Sequence, residues 1–527
     1  MGITPTFSLE QDDNNVYLHI HVPNIRVINA AQIQIQGNRV SFYCTPYLLE
    51  LFLPHGVLDE EGNCDECLNL RNDTENDRPV LIQEIVSQEE PEADDSNNLG
   101  STRSSSRCAK ASYDPIEQRG MLHLTLPKEN PGQNFADLDL ITKLLIDQTR
   151  EKRFLELTKR RPSPMGLISE VLDDNQQQQE KAVAGGQTEI PAEDKQLNLE
   201  KEALPSLFAI HSSPGTPSCG YGFLRSHANI FVNLPINVLS SKDSVLEMPI
   251  HPDEMSEITI SERRQMRLDM EEAKFDLDHY LGDLELDEDM VFQEATQITP
   301  FWHTETPHDN VDDLAQQFSF LSTSEHDKTN FSPQEQQVMV NLALNSRRTG
   351  HISAKAQDNY MLFLGMLDLL FAFVYDHRLT GGDPTCESAW TISIISPALS
   401  WLEDYDEMVT PIQVLCYGIR RSLVYPYIRN LDFVLEYVIQ DVKHIVCQGG
   451  RRMVLKCLIQ LRTILGHTTS DTYHYLLNTV WLDDYCIWIQ NLSDEVFQGY
   501  AKTLNRELEE VDWQTVEWIG FNLIEHD

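Results

Sequence analysis

Several features are scarce in this chain, and each shortage argues against a class of protein. The 527 residues include only 10 cysteines, too few for a disulfide framework. The first 15 residues, MGITPTFSLEQDDNN, show neither the basic start nor the apolar stretch of a signal peptide. The most membrane-like run, residues 361–375, is short and contains Asp368, so we expect a buried core helix there. These shortages favour an intracellular protein from a reducing compartment that does not associate with a membrane.

Positive charge is also scarce. Lysine and arginine total 40 against 83 aspartates and glutamates, which gives a formal net charge of -43. A protein that binds nucleic acid by neutralising phosphates is normally basic, so this balance argues against direct nucleic-acid binding. A strongly acidic chain instead attracts basic partners over long distances.

Motifs for catalysis and for cofactors are missing. The sequence has no GxxxxGK[ST] loop, no GxGxxG after a strand, no GxSxG elbow and no HExxH. Cys64 and Cys67 form a lone CxxC without a second ligand pair, and His19 and His21 share one strand face without an identifiable third ligand. We therefore expect no catalytic, cofactor-binding or metal-binding residues, and a protein that is not an enzyme.

The first part of the chain has the two-residue alternation of β-strands. Alternating runs separated by turn residues predict strands within residues 3–11, 15–22, 31–37, 38–44, 47–54 and 120–127. Short strands at this spacing predict an antiparallel sandwich over residues 1–130. A stretch rich in Asp, Glu, Ser and Asn, at about 59–112, predicts a disordered acidic insertion in this domain.

The rest of the chain has helical periodicity. Residues 131–204 predict a helical segment, FADLDLITKLLIDQ, followed by a flexible linker, and residues 205–527 predict an all-helical domain. Within that domain we expect helices at 333–345, 356–376, 410–419, 428–447, 451–465 and 481–490, and a capping box at Thr259 and Glu262. The predicted fold is thus a two-domain chain, an all-β sandwich followed by an all-α domain.

The stretch AKFDLDHYLGDLELDEDM, residues 273–290, concentrates seven carboxylates and a histidine. Asp276, His279 and Asp283 would form a metal site only on one continuous helix. Asp276 instead fits an N-cap, with Asp278 in a first turn favoured by the helix dipole. We then expect Phe275, Tyr280, Leu281 and Leu284 to supply the buried side of this segment and the carboxylates to form an acidic face, either solvated or facing a partner.

Residues 418–462 are locally basic despite the acidic total. The cations of this basic stretch are Arg420, Arg421, Arg429, Lys443, Arg451, Arg452, Lys456 and Arg462. They are either helix-surface side chains whose stems pack on apolar neighbours, or a contact patch for an acidic partner or for RNA. The sequence leaves both open.

Short motifs spread over the chain form a characteristic series. At the N-terminal end these are Thr4-Pro5-x-Phe7, Asn24-Ile25-Arg26, Pro46-Tyr47 and PKENPGQNFADLDL, residues 127–140. In the helical part they are Tyr221-Gly222-Phe223, AKFDLDHYL, Glu387-Ser388-Ala389-Trp390, SPALSW, VYPYIR, VLKCL and DDYCIWIQ. In this order the motifs resemble those of the Shq family of H/ACA ribonucleoprotein assembly chaperones, and the order makes the resemblance specific. It implies a CS domain, the α-crystallin-type sandwich, followed by the family's own helical domain.

The resemblance implies a non-enzymatic assembly chaperone for box H/ACA snoRNP biogenesis, and so for ribosome biogenesis. Its partner would be the dyskerin-type pseudouridine synthase, whose RNA-binding surface the helical domain occupies as an RNA mimic, with removal by the AAA+ ATPases pontin and reptin. The expected location is the nucleoplasm of the nucleus, with some protein in the cytoplasm, and no stable nucleic-acid complex is expected. Alternatives are a general CS-type co-chaperone adaptor, or a direct RNA binder acting through the basic stretch.

Two sets of residues carry these expectations. The candidate partner-binding residues are Asp276, Asp278, His279, Tyr280, Asp283, Glu285, Asp287 and Asp289. The candidate structural signature consists of Trp390, Trp401, Tyr425, Pro426 and Trp488.

Overall fold

The computed structural model describes twelve stretches of the chain. They are residues 3–23, 31–58, 109–114, 120–146, 220–231, 246–252, 258–284, 290–303, 331–349, 358–425, 427–466 and 473–513. The expected disordered insertion and the expected flexible linker lie almost wholly outside these residues.

The N-terminal domain is an antiparallel sandwich, as predicted. Its strands are β1 (Thr6–Gln11), β2 (Asn15–His21), β3 (Gln32–Gln36), β4 (Arg39–Cys44), β5 (Tyr47–Phe52), β6 (Lys110–Asp114) and β7 (Met121–Pro127). One sheet has the order β1-β2-β7-β6 and the other β3-β4-β5. Every second residue of β2 is buried, because alternate side chains point to opposite sheet faces: Val16, Leu18 and Ile20 enter the core.

Strand β6 corrects the sequence prediction. Its first residues lie within the expected insertion of 59–112, but they pair with β7, as in Ala111 opposite Leu124. The strand has only five residues and follows a long polar stretch, so its alternation was too short to stand out. The described end of the insertion therefore belongs to the sandwich.

The remaining described residues are mainly helical. The helices are α1 (Ile141–Leu145), α2 (Ile260–Lys274), α3 (Leu277–Asp283), α4 (Met290–Gln297), α5 (Pro333–Thr349), α6 (Asp358–Leu379), α7 (Ser388–Ile395), α8 (Pro397–Ser400), α9 (Pro411–Val424), α10 (Leu431–Phe433), α11 (Ile439–His444), α12 (Gly450–Gly466), α13 (Tyr475–Leu477), α14 (Asp483–Asn491) and α15 (Asp494–Glu510). Single π-helical turns, Val434–Val438, Ile445–Gly449 and Asn478–Leu482, connect some of them.

Helix α6 is the central element of the helical domain. It is the one helix of the described residues that is long and apolar enough to cross a membrane, and 83% of its most apolar window is buried inside the protein. Neighbouring helices α7, α9, α11 and α12 pack around it. This is the buried core helix that the sequence predicts.

The predicted helix at the start of 131–204 is shorter than expected. Residues 136–139 form turns, and only Ile141–Leu145 are helical. Asp137 has a φ of +63°, in the left-handed region and outside the range of a regular right-handed α-helix. Helix α1 packs against β5 on one side and against α5 and α14 on the other, so it lies between the two domains.

Candidate partner-binding surface

The junction between α2 and α3 is built as the sequence predicts. Thr259 and Glu262 form a capping box at the start of α2. Asp276 is the N-cap of α3, and its carboxylate accepts a hydrogen bond from the backbone amide of His279 at 3.1 Å. Because Asp276 caps α3, it does not lie on one continuous helix with His279 and Asp283, as a metal site would require. Among the described residues, no group of three or more side chains could hold a metal ion.

The candidate partner-binding residues divide into three groups. Asp276, Asp278 and His279 are exposed, whereas Tyr280 and Asp283 are buried. The three C-terminal acidic positions, Glu285, Asp287 and Asp289, lie outside the described residues. The described acidic face of α3 is therefore formed by its N-cap and first turn.

Asp283 is an internal side chain rather than part of the exposed acidic face. Its carboxylate accepts a hydrogen bond from the backbone amide of Arg429 at 2.9 Å. It thereby ties the end of α3 to the loop before α10. The expectation of a solvated or partner-facing carboxylate at this position is wrong, because a side chain three residues after Tyr280 shares its inward face of the helix.

Leu281 of α3 and Leu284, the residue that caps its C-terminus, also depart from the prediction. Leu281 is 41% exposed and Leu284 is 38% exposed, although both were expected on the buried side. The inward direction of the helix runs between Tyr280 and Asp283, which turns Leu281 outward and leaves Leu284 at the margin. The acidic face thus includes exposed apolar side chains.

Helix α2, which precedes α3 in the chain, takes part in a buried network of arginines and glutamates. Glu271, fully buried on α2, accepts hydrogen bonds from Arg267 at 3.0 Å, Arg420 at 2.8 Å and Arg421 at 2.7 Å. Burial alone would raise the pKa of Glu271, but the Arg267 and Arg421 guanidinium groups lower it. The network holds α2 against α9 with charges that are compensated inside the protein.

Glu247 is the second carboxylate of this network and comes from a separate short segment, 246–252. It accepts hydrogen bonds from Arg421 at 2.6 Å, Trp401 at 2.8 Å and the Tyr425 hydroxyl, and it pairs with Lys274 at 2.6 Å. Burial would raise its pKa, yet the Arg421 charge and the donated hydrogen bonds outweigh it and lower the pKa to about 2.

Four of the five candidate signature residues lie among the described residues, and three of them form hydrogen bonds with other side chains of the helical domain. Trp401 is buried and, like Tyr425, binds Glu247. The Trp488 indole donates to Asn359 at 2.9 Å, and Trp390 is half-buried on α7. Pro426 lies outside the described residues.

The cations of the basic stretch form ion pairs within the chain, some of them buried and some at the surface. Each of its eight cations has a carboxylate partner: Arg420 with Glu271, Arg421 with Glu247 and Glu271, Arg429 with Asp283, Lys443 with Glu509, Arg451 with Asp137 and Asp494, Arg452 with Asp137 and Asp139, Lys456 with Glu335, and Arg462 with Asp483. Three of these arginines, Arg420, Arg421 and Arg451, are buried. The three buried arginines are not available to phosphates, and carboxylates beside the other five offset their charge, which argues against direct RNA binding through this stretch.

The histidines of β2 have a partner that the sequence did not reveal. His19 and His21 share a face, as predicted, but the Nδ1 atom of His19 lies 2.5 Å from Nδ1 of His123 on β7. The register places these two side chains directly opposite each other. Cys64 and Cys67 lie outside the described residues.

Comparison with known proteins gives two family matches in chain order. The model of "SHQ1-like, CS domain" matches residues 4–73, and that of "SHQ1 protein, Shq1 domain" matches residues 321–519. These matches fall on the sandwich and on the helical domain.

Similar proteins occur in distant eukaryotes. Protein shq1 of Schizosaccharomyces pombe is 28% identical over 98% of this chain and 95% of its own length. Protein SHQ1 homolog of Xenopus tropicalis is 29% identical over 94% of this chain and 64% of its own length, and that of Mus musculus is 26% identical over 95% and 71%. With both domains matched in order, the chain belongs to the SHQ1 family.

Proposed function

We propose that this chain is a non-enzymatic assembly chaperone that binds an H/ACA pseudouridine synthase of the dyskerin type before its guide RNA arrives. In this proposal the helical domain occupies the RNA-binding surface of the synthase, and the AAA+ ATPases pontin and reptin remove it. The role places the protein in the nucleoplasm, with a cytoplasmic pool. Membership of the SHQ1 family supports a chaperone role, and the partner is the one that the family resemblance implies.

The observation that supports mimicry most is the distribution of charge. The basic stretch is paired internally, while Asp276 and Asp278 of α3 are exposed to solvent. In a chain with a net charge of -43, such a surface carries carboxylates where an RNA would carry phosphates. The buried network joins α2, whose last residues directly precede this surface, to α9.

Charge reversal on α3 tests the proposal. Asp278→Lys places a cation in the first turn of α3, and we expect it to weaken binding of the purified synthase about tenfold. Glu495→Lys is the matched control, because Glu495 is also an exposed acid in the first turn of a helix, α15, so both changes have the same cost against the helix dipole.

Binding by the two variants has distinct outcomes. Equal affinity of Asp278→Lys and Glu495→Lys for the synthase would remove α3 from the interface. Failure of the unaltered protein to bind the synthase at low salt would remove the proposed partner. Selective capture of a heat-shock chaperone by the full chain would then favour the CS-type adaptor.

A further inference from the structure

The segment that leaves the sandwich is anchored to both domains. On the sandwich side, the Gln11 side chain accepts a hydrogen bond from the Phe135 amide and donates one to the Phe135 carbonyl, both at 2.9 Å. Phe135 itself is buried. The backbone two residues before Asp137 is therefore fixed to β1.

On the other side, Asp137 contacts the beginning of α12. Its carboxylate accepts hydrogen bonds from Arg451 and from Arg452, each at 3.1 Å, and from Lys143 at 2.6 Å. Arg451 is 5% exposed and is also paired with Asp494 at the start of α15. The Asp137 carboxylate thus joins the sandwich-anchored segment directly to α12 and, through Arg451, to α15.

A second carboxylate of the segment reinforces this contact. Asp139 binds Arg452 through both oxygens, at 2.7 and 3.0 Å. Three acids, Asp137, Asp139 and Asp494, meet the three cations Arg451, Arg452 and Lys143, so the cluster is neutral within a very acidic chain. Bidentate pairing of this kind fixes orientation as well as distance.

Apolar packing continues the contact through α1. Ile141, Leu144 and Leu145 are buried, and the Thr142 hydroxyl donates to the Met339 carbonyl of α5 at 2.8 Å with no exposure to solvent. Helix α1 also packs on β5. The positive φ of Asp137 is an uncommon conformation for a residue with a side chain, and it is held by the ion pairs on the carboxylate.

We propose that residues 135–146 form a docking segment that holds the sandwich in one fixed orientation on the helical domain, with Asp137 as its electrostatic centre. The two domains then meet any partner as one rigid surface rather than as two units joined by a linker. This inference does not rest on the proposed function. It predicts that the ion-pair cluster controls the opening of the domain interface without controlling the fold of either domain.

Amide hydrogen exchange of the full chain tests the docking segment. Asp139 is 39% exposed, so Asp139→Lys should fold while opposing Arg452 with a like charge. We expect the amides of residues 141–145 to exchange about fivefold faster in this variant, equivalent to about 1 kcal/mol. The double variant Asp139→Lys/Arg452→Glu restores an ion pair of opposite sense and should return exchange toward that of the unaltered protein.

Two further variants make the test specific. Glu509→Lys breaks an exposed ion pair with Lys443 inside the helical domain and should leave exchange in α1 unchanged. Asp139→Asn removes the charge with a smaller perturbation and should accelerate exchange in the same direction as Asp139→Lys. Exchange in α1 that stays within twofold of the unaltered protein in both Asp139 variants, or that the double variant does not slow, would overturn the proposal.

Discussion

Replacement of Glu247 by glutamine tests the buried network that supports the helical domain. The change preserves the shape of the side chain and removes its charge, while Arg421 stays fully buried with Glu271 as its remaining carboxylate partner. The pKa of Glu247 falls from 4.5 to about 2 on folding, because Arg421, Lys274 and Tyr425 outweigh the effect of burial. At 1.36 kcal/mol for each pKa unit, this shift corresponds to about 3 kcal/mol of stability at neutral pH.

The pH dependence of this contribution has a definite sign. A carboxyl whose pKa is lower in the folded state stabilises the protein above its unfolded value, near 4.5. The contribution is lost as the pH falls from there toward 2. We therefore expect Glu247→Gln to be destabilised by about 3 kcal/mol from pH 5 to 8, with a smaller difference at pH 3.5.

Tryptophan fluorescence during urea unfolding measures this effect in the helical domain alone, because all seven tryptophans lie at position 302 or later. Glu272→Gln is the control, since Glu272 is an exposed neighbour of Glu271 on α2 and should change the midpoint little. A difference below about 0.5 kcal/mol at pH 7, or one that does not shrink by pH 3.5, would refute the assignment of Glu247 as a compensated internal charge.

Three other predictions follow from particular residues. Gly222→Ala should lower the stability of the helical domain by at least about 2 kcal/mol in the same fluorescence assay, because φ is +76° and a Cβ would lie 2.5 Å from the Val480 carbonyl oxygen; an unchanged midpoint would contradict this packing. Burial raises the pKa of Asp376 from 3.8 to about 7, against a hydrogen bond from Ser388, so the destabilisation caused by its charge is absent below pH 3.8 and complete above pH 7. Asp376→Asn should therefore be more stable than the unaltered protein by up to about 4 kcal/mol at pH 8 and equally stable at pH 3.5. A destabilised variant at pH 8 would contradict this. The pKa of Asp137 is lowered, since Arg451 and Lys143 outweigh the effect of its burial. The stabilisation of the docking segment by this carboxylate should therefore persist above pH 3.8 and weaken as the pH falls below that value. Hydrogen exchange in α1 measures this effect, and exchange that does not depend on pH after correction for the intrinsic rate would contradict it.

Local patterns were sufficient for the fold class and for most elements. The alternation in β2 persists over seven residues, and the apolar content of α6 over 22 residues. Each pattern lasts long enough to identify its element from the sequence. The N-cap role of Asp276 was predictable because a cap depends only on residues within one turn. Helix α15 lies in the region predicted to be all-helical but is not among the helices named there, although Phe497, Ala501 and Leu504 recur at helical spacing on its buried face.

Contacts between distant residues were not predictable. The basic stretch looked like a surface patch because its partners lie far away in sequence, as in Arg452 with Asp139 and Arg421 with Glu247. Glu247 itself carries no local signal, since its segment shows no periodicity. His123 was missed as the partner of His19 because the register of β2 and β7 joins residues separated by 104 positions. Long-range pairing is set by topology, which a single sequence does not state.

Competition between this chain and guide RNA for the synthase is the most direct test of the central claim. The labelled full chain is bound to the purified synthase at low salt, and H/ACA guide RNA is then titrated against the complex while the anisotropy of the label is recorded. Mimicry of RNA predicts that RNA displaces the chain completely, and that a higher concentration of the chain shifts the RNA midpoint upward in proportion. A stable complex containing the chain, the synthase and the RNA together, with the affinity for the chain unchanged, would contradict the proposal.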